Sequence, residues 1–252
     1  MTEPNPPTAD VPLTGLHDFP ATIDERKAAG KAARQRVAPG DQGHWDEKDR
    51  GHDALATITS QNLVRVPDLV PLRNGRMAVS PWNYYRGAAA VMAADLASQP
   101  HSGLEVQLCG DAHVLNFGLW ATPERNLLFD LRDFDETLPG PFEWDLKRLA
   151  ASLVVAARAS GIKARTAEAA VVAAASAYRK RMGRYVDAPE LDIWYDKIHV
   201  YNLVKFFKPA DRGRLSVHIE RQAQVRTSQG AFAKLTSMVN GRPRIDEDPP
   251  VR

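Results

Sequence analysis

Apolar positions recur at helical spacing over most of this chain and alternate only in a short central stretch, so the first expectation is a mostly helical α+β protein. Residues 24–37 (DERKAAGKAARQRV) read as a short exposed helix, stopped by Pro39-Gly40. A second helix is expected from Asp53 to Val66, ending before Pro67. Asn74-Gly75 predicts a tight turn. Ser80-Pro81 predicts a helix start, with Ser80 as N-cap and Pro81 at the first position, and that helix should run to about Ala97. Leu104–Cys109 (LEVQLC) alternates like a strand. Phe117–Trp120 and Asn126–Leu131 are two more strand-like runs, joined by the turn-like ATPER. From Glu143 to about Ala159, Leu146, Leu149, Leu153 and Ala157 give an apolar helical face, and Gly161 ends it. Further helices are expected over 166–186, over 189–207 with Ile193, Trp194, Ile198, Tyr201 and Leu203 packing, and near 229–239, before a polar tail.

Composition adds the organisation. At 252 residues the chain is long enough to bury a sizeable core. Residues 1–23, the first twenty of which carry five prolines, are expected to be disordered or loosely attached, and 24–252 to form a single domain. The formal charge of +2 hides an uneven distribution. Residues 1–110 hold 11 basic and 13 acidic side chains, residues 111–145 hold 2 and 8, and residues 146–252 hold 20 and 10. An acidic centre before a basic half suits a cation site near a surface that meets an anion. The single cysteine, Cys109, excludes an intrachain disulfide and lies in an apolar run, as a buried structural thiol would. No apolar leader opens the sequence, and no apolar run is long enough for a bilayer. A soluble cytoplasmic protein with no membrane contact is therefore expected.

The stretch Cys109–Arg148, CGDAHVLNFGLWATPERNLLFDLRDFDETLPGPFEWDLKR, holds most of the candidate chemistry. Its eight carboxylates lie among Leu, Phe and Trp, and buried carboxylates need partners, for which a divalent cation serves several at once. Two acidic loops each close a strand, which can bring Asp111, Asn116, Asp133 and Asp135 together. Oxygen donors without cysteine suit Mg²⁺ or Mn²⁺ better than zinc. An Asp five residues before an Asn, then an Asp one strand later, is the arrangement phosphoryl transfer uses. Upstream, Arg73, Arg76 and Arg86 interleave with Trp82, Tyr84 and Tyr85. A phosphate or nucleic-acid surface is one reading of them; pairing with the acidic centre is the expectation preferred, and nucleic acid is not expected as a partner. His44 and His52 stand among acids in what reads as a solvated loop.

GDAHVLN, then FDLRDFDE, then GPFEWDLKRLA resembles the aminoglycoside-phosphotransferase and choline-kinase-like branch of the protein-kinase-like fold. More closely, RNGRMAVSPWNYYRGAAAVMAADLA with CGDAHVLNFG and DFDETLPGPFEWDLKRLAAS resembles the bacterial "domain of unknown function 2252" family over roughly residues 30–252, with Arg132 where Asn is expected before Asp133. The resemblance implies a kinase-like C-lobe whose small β-hairpin unit carries the catalytic-type loops. It implies Asp111 as catalytic Asp, Asn116 and Asp133 as metal ligands and Asp135 as a second ligand. Asp145 would brace the loop, with His113 and Arg86 near phosphate. The implied activity is metal-dependent transfer of a phosphoryl group from ATP to a hydroxyl of a small molecule or protein. One departure counts against it: no G-x-G-x-x-G or P-loop occurs. Resemblance places a glycine-rich strand pair and a Lys after the catalytic part, so the chain is expected to be truncated, with an incomplete nucleotide site.

Three other readings compete. A catalytically inactive kinase-like binding module is favoured by the missing glycine-rich loop. A metallophosphoesterase would need His and Asn ligands downstream, where His199 and His218 sit in KIHVY and SVHIE. A glycosyltransferase would rest on Asp133-Phe134-Asp135 alone.

Overall fold

The computed structural model describes residues 22–124, 126–225, 232 and 235–246. It is α+β and mostly helical, with three two-stranded antiparallel sheets. The segment expected to be loosely attached lies, up to residue 21, outside the described residues.

Four helices lead up to the central region, with a fifth entering from the N-terminus. Helix α1 (Ile23–Arg36) starts in a capping box between Thr22 and Glu25. Helix α2 (Ala54–Asn62) is capped by Asp53, whose carboxylate accepts from Leu55 N at 2.8 Å. Helix α3 (Val70–Met77) runs through Asn74-Gly75, where a tight turn is expected from sequence. Burial of Met77 in a cluster with Ile58, Ala88 and Val91 outweighs the roughly 1 kcal/mol that a helical glycine costs. The single helix expected over 81–97 is two, α4 (Pro81–Gly87) and α5 (Ala89–Ala97), with Ser80 capping the first. The break has a packing cause. Arg73 Nη2 donates to the Gly87 carbonyl at 2.6 Å, and a Cβ on Gly87 would stand 2.7 Å from Met77 Cγ. The loop before α2 is not wholly solvated: Arg50 and His52 both bond Asp95 on α5, at 2.7 and 2.8 Å.

Strand β1 (Glu105–Leu108) pairs with β4 (Leu138–Pro141), a segment read from sequence as loop. Between them lies the expected hairpin, β2 (Phe117–Ala121) and β3 (Leu127–Leu131). The two acidic loops therefore close strands of two different sheets rather than of one hairpin unit. Helices α6 (Glu143–Ala159) and α7 (Ala164–Tyr185) pack on each other, linked through Gly161 at φ +67°.

The helix expected over 189–207 is interrupted. Helices α8 (Glu190–Tyr195) and α9 (Val200–Val204) flank an extended piece laid along the β3 edge, where Phe129 N donates to Ile198 O at 2.8 Å. Unpaired edge donors demand partners, and this one captures the chain. Helix α10 (Pro209–Val225) follows. Of the helix expected near 229–239, residues 229–231, 233 and 234 lie outside the described residues, whereas Thr236–Val239 form strand β5. It pairs with β6 (Arg242–Ile245) across Asn240-Gly241, both at positive φ, a two-residue hairpin turn inside the expected polar tail. No helix among the described residues is long and apolar enough to cross a membrane.

Two open glycines should respond oppositely to alanine. A Cβ added at Gly161 or at Gly183 would meet no atom within 4 Å, but only Gly161 needs positive φ. Gly161→Ala should cost about 1 kcal/mol, and Gly183→Ala, inside α7, should add about 0.5–1 kcal/mol. Paired thermal melts check the signs, with shifts of about 2–4 °C each way.

Candidate functional site

The most buried positions of α6 are polar. Glu143, Arg148 and Ser152 are buried with Ala157, while the leucines of the expected apolar face are half-buried. Buried polar groups need hydrogen-bond partners; Glu143 accepts from Ser102 N and Oγ, and the residues that follow it reach the loop after β1. Asp145 accepts from Cys109 N at 2.8 Å and from Gly110 N at 3.2 Å. One turn on, Arg148 Nε donates to Asp111 Oδ1 at 2.6 Å. One turn further, Ser152 Oγ accepts from Val114 N at 2.9 Å and donates to Leu149 O at 2.7 Å. Asp145, Arg148 and Ser152, spaced three and four apart, thus grip the segment 109–114 along its length. Gly110 makes the entry possible: its φ is +83°, and a Cβ there would collide with the Glu136 carbonyl.

Arg148 is itself held from the other side. Its Nη2 donates to Tyr85 O at 2.8 Å, its guanidinium lies 4.4 Å over the Tyr85 ring, and Tyr85 OH donates to Arg148 O at 2.7 Å. Burial pushes the Tyr85 hydroxyl up to about 12, so it stays a donor at any physiological pH. Trp82 on the same helix meets His113 edge-on at 6.2 Å.

Asn116 joins the two acidic loops. Its Nδ2 donates to Asp111 O at 3.0 Å and to Asp133 O at 3.2 Å, and Arg132 N donates to Asn116 O at 2.8 Å. Both amide protons are thereby used, which leaves Oδ1 as the group an incoming ligand could meet. Arg132, standing where the family resemblance calls for Asn, donates Nη2 to Leu115 O at 2.6 Å and so also ties β3's end to the first loop.

The remaining acids lack cations. Asp133 and Asp135 are exposed and Glu136 half-buried, and none forms an ion pair among the described residues. Burial, then the neighbouring Asp133 carboxylate, raises Asp135 above the ordinary carboxylate range. Burial, then Asp111 and Asp135, raises Glu136. His113 lies 3.5 Å from Asp111 Oδ2; burial holds it below its ordinary value, reinforced by Arg148 and Arg86, and its buried Nδ1 has no partner. Cys109 is buried, and its thiol is pushed up to about 12 by burial and then by Asp145, which disfavours the thiolate a nucleophile would need.

The loops therefore bring Asp111, His113, Asn116 and Asp133 into one hydrogen-bonded unit with Asp145 behind them, and Asp135 beside Asp133. Arg86 is not in that unit; it lines a cavity on the neighbouring face of α4 with three other arginines. The expected pairing of Arg73, Arg76 and Arg86 with the acidic centre does not occur: none of them forms an ion pair among the described residues. Arg73 instead commits its donors to Gly87 O and Met77 Sδ. Among the described residues no three His, Cys, Asp or Glu side chains converge tightly enough to cage an ion. The donors the loops do offer, carboxylate and amide oxygens, are of the hard type.

Residues 65–252 match the family described as "Uncharacterized protein conserved in bacteria (DUF2252)". The chain belongs to that family. No curated protein and no solved structure matches it. The DUF2252 match begins at Arg65, later than the expected start near residue 30, so α1 and α2 precede it. Arg148, Tyr85 and Ser152 are the residues sequence reasoning missed. For Arg148 and Ser152 the signal was present, since 145, 148 and 152 form a polar row at helical spacing beside the leucine face of the helix.

Removing the Ser152 hydroxyl should orphan Val114 N–H at no steric cost. Ser152→Ala is expected to lose about 1–3 kcal/mol, read as a lowered denaturant midpoint. Glu136 has the opposite sign. With its folded pKa raised above the ordinary 4.5, its stability contribution is complete below that value and lost as pH rises through the folded pKa. Glu136→Gln should therefore melt higher than the parent at pH 7 and together with it below about pH 4, in melts across pH 3–8.

Proposed function

We propose that this protein is a metal-dependent phosphotransferase-like protein of the kinase-like class, with ATP as donor and a hydroxyl of a small molecule or protein as acceptor. The observation that carries the reading is the Asn116 amide, which bonds Asp111 O and Asp133 O together. It supports the roles the loops' sequence suggests, because a catalytic Asp and a metal Asp from separate loops must share one site. The brace from Asp145 to Cys109 N and Gly110 N supports it further, since positioning is most of what phosphoryl transfer asks of a protein.

In this reading Asp111 orients the acceptor hydroxyl and takes its proton as the oxygen bonds to the γ-phosphorus. The bond from that phosphorus to the β,γ-bridging oxygen breaks, and ADP leaves with the electron pair. Asn116 Oδ1 and Asp133, with Asp135 beside it, are the oxygens that would hold Mg²⁺ or Mn²⁺. The cation neutralises phosphate charge when bound. Arg148 aims the Asp111 carboxylate through its Nε donor, and His113, held below its ordinary value by burial, stands behind it.

A second reading, an inactive kinase-like binding module, is favoured by one contact. The Asp111 carboxylate already accepts from the buried Arg148 at 2.6 Å, so an acceptor hydroxyl competes for its remaining lone pairs. The two readings separate in one experiment. Transfer of labelled γ-phosphate from ATP to a panel of hydroxyl acceptors is expected with Mg²⁺ or Mn²⁺, and Asp111→Asn should reduce it by about 10²–10⁴-fold. Calorimetric titration should show weak Mn²⁺ binding that tightens with ATP and is lost in Asp133→Asn. Transfer unaffected by Asp111→Asn, or equal Mn²⁺ affinity in Asp133→Asn, would remove the reading. Metal and ATP binding with no transfer to any acceptor would leave the binding module.

A further inference from the structure

Helices α3 and α4 and the turn before them enclose a cavity of about 830 Å³. Arg65, Arg73, Arg76 and Arg86 line it, and no carboxylate does. Arg65 and Arg73 are half-buried within it, whereas Arg76 and Arg86 are exposed at its rim. None of the four forms an ion pair among the described residues. Four guanidinium groups around one concavity repel each other, and a low-dielectric wall sharpens that field. Arg65 Nε is buried with no hydrogen-bond partner among the described residues, and Arg73 is held below its ordinary value by burial and then by the Arg65 charge, with the Glu136 charge offsetting part of that. Val64, Val66, Leu69 and Leu72 supply an apolar part of the lining.

We propose that this cavity binds the phosphate chain of a soluble small molecule. The chemistry selects such a ligand over other anions. Guanidinium groups present paired N–H donors that match phosphate oxygens; Arg65, Arg76 and Arg86 would supply them, while Arg73, whose donors are committed to Gly87 O and Met77 Sδ, adds its charge. A concavity with two partly buried arginines on its floor and two at its mouth takes a discrete chain of charge. A flat lipid surface would reach only the outer pair. The apolar part of the lining leaves room for an organic body on one end of that chain, so the ligand is a nucleotide or another phosphorylated metabolite. This goes beyond the reading of the acidic loops, since it needs neither Asp111 chemistry nor a divalent cation.

The test uses the full chain and sodium tripolyphosphate as probe, by calorimetry in EDTA at fixed ionic strength. Binding is expected, weakening as salt rises, and Arg76→Ala/Arg86→Ala, whose altered side chains are exposed, should weaken it at least tenfold while leaving the melting temperature unchanged. Asp133→Asn should bind tripolyphosphate like the parent, which separates this site from the metal loop. ATP binding more tightly than tripolyphosphate would support the proposal and identify a nucleotide; equal affinity would support it with the phosphate chain alone recognised. The proposal is overturned by no tripolyphosphate or ATP binding at millimolar concentration, or by affinity unchanged in the double variant. Adsorption to phosphatidylglycerol vesicles without tripolyphosphate binding would likewise overturn it and make the patch a lipid surface.

Discussion

The grip of helix α6 on the loop after β1 is the constraint on which the rest of the centre depends. Three polar side chains on one buried row, Asp145, Arg148 and Ser152, hold the backbone or carboxylate of residues 109, 110, 111 and 114. Within the loop His113 N bonds Asp111 O and Asn116 N bonds His113 O. Its remaining donors, Cys109 N, Gly110 N and Val114 N, are satisfied by α6, and leaving any of them unmet in a buried place would cost more than the bond contributes. The second acidic loop is then positioned through the first, because Asn116 and Arg132 connect the two. Helix α4 completes the arrangement by stacking Tyr85 against Arg148 and setting Trp82 on His113.

Charge is left uneven around that framework. On one side Asp133, Asp135 and Glu136 lie together without a cation, and two of them are raised by burial and mutual repulsion. On a neighbouring face of α4, four arginines lie together without an anion. The two groups are close enough to be felt by each other, since Arg65 lowers Glu136 and Arg86 lowers His113. Yet no direct pair forms among the described residues, and Arg73 spends its donors on Gly87 O and Met77 Sδ instead. Folding alone would not favour such separation.

Local signals were legible where backbone chemistry acts alone. The cap at Ser80, the stop at Gly161 and the strands β1, β2 and β3 all follow from side-chain types at fixed offsets. Where the same signal met tertiary packing, it failed. Asn-Gly occurs at 74–75 and at 240–241; the first is helical because Met77 and Arg73 anchor α3, and the second turns a hairpin. The helices expected over 81–97 and 189–207 each break where a distant group takes a backbone atom, Arg73 at Gly87 and Phe129 at Ile198.

The sequence by itself determined the α+β, mostly helical class, the acidic centre and the residue types of the two loops, because those depend on composition and spacing. It also carried the DUF2252 membership, which the match over residues 65–252 shows. Only the tertiary structure decided that β4 pairs with β1, and that α6's buried row is polar. It also decided that Arg148 rather than any arginine of α3 or α4 meets Asp111. The physical reason is range. Caps and turns are settled within four residues, whereas Arg148 reaches Asp111 across 37 positions and Tyr85 across 63. Which partner satisfies a buried charge is decided by every element that packs around it.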